Sequence, residues 1–100
     1  MKEFIDSFDK MFESRVRLAI MSLLMVNTKI EFKELKEKLN LSDGNLASHI
    51  TALEKENYIE VKKQFVGKKP QTTYSATRSG KKAFADYIAV MEKFLKNGTK

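Results

Sequence analysis

The hydrophobic period of this 100-residue chain changes at Asn57, and that change narrows the folds open to it. Upstream, in LSDGNLASHITALEKEN, Leu46, Ile50 and Leu53 recur at i, i+4 and i+7, the spacing of one helix face. Downstream, YIEVKKQFV and QTTYSAT alternate and are rich in β-branched and aromatic residues, which predicts two strands joined by a turn at GKKP. Phe65 and Tyr74 fall in these strands and are expected in their core. Ser42 is the expected N-cap of the helix, worth about 1 kcal/mol. Leu41 and Leu46 stand at the two positions of a hydrophobic staple. The helix is expected to end near Glu56 or Asn57.

Three further helices precede this unit. Positions 2 to about 12 place Phe4, Ile5, Phe8, Met11 and Phe12 at helical spacing. Ser14 can cap a helix over Arg15–Val26 whose apolar residues surround most of its circumference, which predicts a central, buried element. A turn at Asn27-Thr28 and a very short strand to Glu31 lead to FKELKEKLNL, a short helix with Phe32, Leu35 and Leu39 inward and Asn40 at its end. Thr77 can cap a last helix, RSGKKAFADYIAVMEKFLKN, fraying at Gly98. Phe84, Tyr87, Ile88, Met91, Phe94 and Leu95 form a stripe along it, and it is about 30 Å long. The expected fold is mainly α with a small β-hairpin (α+β). It is a winged helix-turn-helix with an N-terminal helix (1–13), a core (14–76) and a long C-terminal dimerisation helix (77–97). Together they form one domain over 1–100.

Charge placement bears on function. Seven of the 19 basic residues and none of the 13 acidic ones lie between positions 61 and 85, while the rest of the chain is close to neutral. A segregated positive field of this kind suits a polyanion. No apolar run reaches the roughly 18–20 residues of a membrane span. The first ten residues lack the apolar core of a secretory signal. With no cysteine there is no disulfide or thiolate metal site, and the chain is expected to be intracellular, in the cytoplasm. One histidine, no cysteine and no Gly-rich phosphate loop argue against an enzyme. His49 has no evident companions for a metal. No cofactor is expected.

With Leu46, Ile50 and Leu53 turned inward, positions 44, 45, 48, 49 and 52 turn outward. A helix placed second in such a unit can enter the DNA major groove, about 12 Å wide. Asn45 can pair with the N6/N7 edge of adenine, Ser48 and His49 can donate to base acceptors or phosphates, and Ala52 can touch a thymine methyl. Gly44 would permit close backbone approach. Ser42, Thr51 and Lys55 complete the candidate edge. Lys68 and Lys69 at the wing tip are candidate phosphate contacts. Lys62 and Lys63 point to opposite faces, so one of them, Lys63, joins the candidates. Arg78, with Lys81 and Lys82, puts positive charge at a helix N-terminus, an unfavourable placement that a nearby polyanion would offset. Arg15 and Arg17 are secondary candidates.

RLAIMSLL from Arg17, LNLSDGNLASHITALEKENYI from Leu39 and GKKPQTTYSATRSG from Gly67 together resemble the MarR/ArsR-type winged-helix transcriptional regulators, most closely a small-domain subgroup. The likeness spans about positions 15–84. That subgroup usually has glycine where Asn57 stands, which implies the same left-handed cap at Asn57. The resemblance implies a dimeric transcription factor. It implies DNA-reading roles for Asn45, Ser48 and His49 and phosphate contacts for Lys68 and Lys69. The cysteine and histidine ligands of metal-sensing relatives are missing. Independently, a domain of this size reads few base pairs, and two copies would bind half-sites about 34 Å apart. Phe4, Ile5, Phe8 and Phe12, with the stripe Phe84, Tyr87, Ile88, Met91, Phe94 and Leu95, are the expected two-fold interface. The expected partner is double-stranded DNA, as an inverted repeat read by the helix at 43–56 and a wing at 66–71. The alternative is a winged-helix protein-interaction module whose basic wing is incidental. Phe12, Met21, Met25 and Tyr87 are read as core rather than as the lining of an effector pocket, and the sequence identifies no effector.

Overall fold

The computed structural model describes residues 2–97, with the side chains of Phe4 and Asn97 left out. Phe4, expected at the interface, and Gly98, expected at the frayed end, therefore lie outside the described side chains and residues. Helix α1 (Lys2–Asp6) and a 3-10 turn (Lys10–Glu13) lead into α2 (Arg15–Val26). Strand β1 (Ile30–Glu31), α3 (Phe32–Leu39) and α4 (Asp43–Lys55) follow, then β2 (Ile59–Val66), β3 (Lys69–Ala76) and α5 (Arg78–Asn97). The sheet is antiparallel in the order β1-β3-β2, with Tyr74 of β3 opposite both Ile30 and Val61. The expected hairpin is thus a three-stranded sheet, because the short strand before α3 pairs with β3. The architecture is a winged helix ending in a long C-terminal helix.

The core gathers one face of every central element. It holds Ile20, Met21 and Leu24 of α2, Leu35 of α3, Leu46, Ile50 and Leu53 of α4, and Ile30, Ile59 and Tyr74 of the sheet. Burying each large aliphatic side chain is worth about 1.5–3 kcal/mol. The expected α4 anchors are all buried. Local signals also hold at the boundaries. Ser14 Oγ accepts from the Arg17 backbone N–H and Ser42 Oγ from that of Asn45, each at 3.2 Å. Asn40 (φ 53) and Asn57 (φ 62) take the left-handed conformation that stops α3 and redirects the chain after α4. Thr77 Oγ1 accepts from the Gly80 N–H at 2.9 Å and donates to the Asn57 carbonyl at 2.6 Å.

Several expectations need correction. The first segment is not one helix to position 12. Asp9 breaks it, because its carboxylate accepts from the Met11 N–H at 2.9 Å and caps the 3-10 turn instead. Phe12 is not an interface residue: at 2% exposure it is core, within 5.3–5.8 Å ring-centroid distance of Tyr58, Phe84 and Tyr87. Helix α2 is not buried all round, since Val26 at its end is 79% exposed and Met25 is also open. The wing turn is Gly67-Lys68 alone, with Val66 opposite Lys69 and Pro70 already in β3. Gly67 has φ 66 and no positive φ occurs at Lys68, as a type II′ turn requires. Phe65 is 75% exposed rather than core. Along its face Ile59 is buried, Val61 half-buried and Lys63 exposed, so the hydrophobic core ends before the wing does. Among the described residues no helix is long and apolar enough to cross a membrane.

Candidate nucleic-acid interface

The three inward anchors of α4 fix which side faces out. Gly44, Asn45, Ala47, Ser48, Thr51 and Lys55 are exposed, as is the cap Ser42, while His49 and Ala52 are half-buried. Ser48 Oγ donates to the Asn45 carbonyl at 3.0 Å. Lys36 Nζ lies 2.7 Å from Asp43 Oδ1, tying α3 to the start of α4 and using the acid at that end. Nothing lies within 4 Å of a Cβ placed on Gly44, so any close approach there is to something outside the described chain. A groove of about 440 Å³ brings Arg15 of α2 beside Leu41 and Asn45, at the N-terminal edge of the same face.

Arg17 does not join that surface as a free cation. Its Nε donates to the Met11 carbonyl at 2.7 Å, and its Nη1 lies 3.3 Å from His49 Nδ1. His49 is held below its ordinary value of 6.5, first by burial and then by the Arg17 charge, so the ring is neutral at pH 7.

The wing adds positive charge beside this polar face. Lys62, Lys63, Lys68 and Lys69 are all exposed. A ladder of polar side chains stiffens the sheet beneath them: Gln64 Nε2 donates to Gln71 Oε1 at 3.0 Å, and Gln71 Nε2 donates to Glu31. Phe65 and Val66 are exposed apolar residues among the lysines, on opposite faces of β2. Strand alternation hides the exposure of Phe65 from sequence reasoning, and the lysine at position 63, on the same face, is the signal that could have found it. Arg78 and Lys81 are exposed at the start of α5, whereas Lys82 pairs with Asp86 at 2.7 Å. Gly80 seats this end: a Cβ there would lie 2.1 Å from the Tyr58 carbonyl oxygen.

The expected interface residues divide in two. Phe84 and Tyr87 turn into an aromatic cluster with Phe8, Phe12 and Tyr58, in which Phe8 and Tyr87 are 5.3 Å apart. Ile88 (39%), Met91 and Leu95 (65%) remain exposed along α5, Phe94 is half-buried, and Ile5 is exposed on α1. Phe12 and Met21 are core, as read, and Met25 lies open at the end of α2.

Residues 16–95 match the sequence model of the winged helix DNA-binding domain. The uncharacterized protein MJ0432 of Methanocaldococcus jannaschii is 41% identical over 88 residues, which cover 88% of this chain and 96% of that protein. The transcriptional regulator homologue of Pyrococcus horikoshii OT3 superposes with a TM-score of 0.86 at 26% identity, over 96% of both chains. A protein of Porphyromonas gingivalis W83 assigned to the MarR family shares the fold, with a TM-score of 0.69 at 24% identity over 88% of this chain and 84% of its own.

Proposed function

Because the chain belongs to the winged helix DNA-binding domain family, a non-enzymatic one, we propose that it is an intracellular, sequence-specific regulator of transcription that binds double-stranded DNA as a homodimer. One observation carries the reading. Three buried residues hold α4 so that its polar N-terminal half stands open beside a wing that carries four exposed lysines and, from Val61 to Ala76, no acid. A helix is about 10–12 Å across with its side chains, which suits a major groove about 12 Å wide. In that groove Asn45, Ser48, His49 and Thr51 meet base edges. Ser42, Gly44 and Lys55 flank the backbone. Lys63, Lys68, Lys69 and Arg78 neutralise phosphates. Phe65, on the face of Lys63, presses on the sugars where the wing reaches the minor groove.

The whole chain, 1–100, acts as one unit in this reading. Two copies pair through the open stripe of α5, Ile88, Met91 and Leu95, with exposed Ile5 of α1 contributing, under two-fold symmetry. The molecule is 59 Å along its long axis and only 25 by 21 Å across, so a dimer joined through its helices can space two reading heads about 34 Å apart. Selection from random duplex DNA tests the proposal. The expected product is an inverted repeat whose binding weakens steeply with salt, with a slope of roughly −0.9 per phosphate contact. Failure to retain any duplex at low salt would favour a protein-interaction role, for which exposed Phe65 is a ready anchor.

A further inference from the structure

We infer that Arg17 is a positioning residue for the reading helix: from α2 it locks His49 in the neutral tautomer protonated at Nε2, so that α4 presents a hydrogen-bond donor, never an acceptor, at position 49. The recognition half of this inference rests on the proposed DNA-binding role. The tautomer half does not.

A guanidinium has only N–H donors and no acceptor. The 3.3 Å contact between Arg17 Nη1 and His49 Nδ1 therefore requires Nδ1 to offer its lone pair. A neutral imidazole with an unprotonated Nδ1 carries its proton on Nε2. The guanidinium is itself held at a second point, Nε on the Met11 carbonyl at 2.7 Å, so its direction is set by the 3-10 turn as well as by α2. Protonating Nδ1 would turn this contact into donor against donor and place two positive charges side by side. The charge acting on the ring is that of Arg17, and the residues one turn away on α4 (Asn45, Leu46, Ala52 and Leu53) are uncharged. Nε2 has no protein partner among the described residues. No buried side-chain nitrogen there lacks a partner, so Nε2 reaches solvent on the outer side of the ring.

An outward Nε2–H selects its counterpart. It matches guanine O6 or N7, adenine N7, thymine O4 or a phosphate oxygen, and it is mismatched with the amino groups of cytosine and adenine. The shared chemistry is an acceptor atom, and the test separates base from backbone.

His49 is the only histidine, so ring-nitrogen NMR of the full chain reads this residue without assignment. Above pH 6.5 the wild type is expected to show one dominant form, with Nε2 protonated and Nδ1 bare. Arg17→Met should give a mixture of tautomers and a titration closer to the ordinary value, and Arg17→Lys, which keeps a donor, should fall between. A wild-type ring protonated at Nδ1, or already mixed, overturns the positioning role whatever the variants do. The recognition half uses a duplex recovered by random selection, carrying either bases stripped of a single acceptor (purines without N7, guanines without O6, thymines without O4) or single methylphosphonates. One of these should weaken wild-type binding about tenfold at one position per half-site and leave His49→Ala binding unchanged. If neither change distinguishes the two proteins, position 49 does not donate to DNA and that half falls. If no duplex binds at all, the functional reading falls, while the ring spectrum still decides the tautomer.

Discussion

Tyr58 is the residue at which four parts of the chain meet. Its hydroxyl donates to Asp9, its ring stacks on Phe12 at 5.8 Å, and its carbonyl accepts the Thr77 N–H at 3.0 Å while Gly80 lies against it. Burial, then the hydrogen bond and charge of Asp9, raise the phenol above its ordinary value of 10. The unfolded chain therefore ionises first, and the stability carried by the neutral phenol, complete below pH 10, is lost as pH rises above it. Tyr58→Phe should cost about 1 kcal/mol at pH 8 by urea titration and should flatten the decline above pH 10. The two helical glycines separate stability from binding. Gly80→Ala drives a methyl into a backbone carbonyl that cannot yield and should lower Tm by several degrees. Gly44→Ala meets nothing within 4 Å and should raise stability by up to about 0.5 kcal/mol. At this scale the caps were legible in the sequence, because Ser14, Ser42, Thr77 and the left-handed Asn40 and Asn57 act within a few residues of themselves. The exposure of Phe65 and the partners of Arg17 were not, because both are decided by distant parts of the chain.

Among the elements, α4 followed most directly from pattern. Its i, i+4, i+7 anchors and its cap are both local, and both hold in the structure. The first segment did not, because a stripe of phenylalanines at helical spacing is compatible with a continuous helix and with two short turns. The carboxylate of Asp9 decides between them by capping the second. The wing was legible as a hairpin but not as a sheet, since a two-residue strand such as β1 carries too little pattern to announce its pairing with β3. The wing also offers the cleanest test of electrostatic contact. Lys68 and Lys69 are exposed and make no ion pair among the described residues. Replacing both with alanine should leave the urea midpoint unchanged, weaken binding across all sequences and reduce the salt slope by about two.

At the scale of the whole molecule, α5 carries more apolar surface than its own fold covers. Ile88→Glu should give a folded monomer by light scattering, because Ile88 is 39% exposed and lies outside the aromatic cluster. Tyr87→Glu is a poorer probe, since it would break the packing against Phe8 and Phe12 as well. Loss of the proposed dimer should lower DNA affinity severely, because each half-site alone supplies few contacts. Random-duplex selection run in parallel on the wild type and on Asn45→Ala tests most directly whether the outer face of α4 meets bases. The wild type should recover an inverted repeat and the variant the same repeat relaxed at one position in each half-site, a loss of about 1–3 kcal/mol of discrimination. Recovery of identical sequences by both proteins would contradict it.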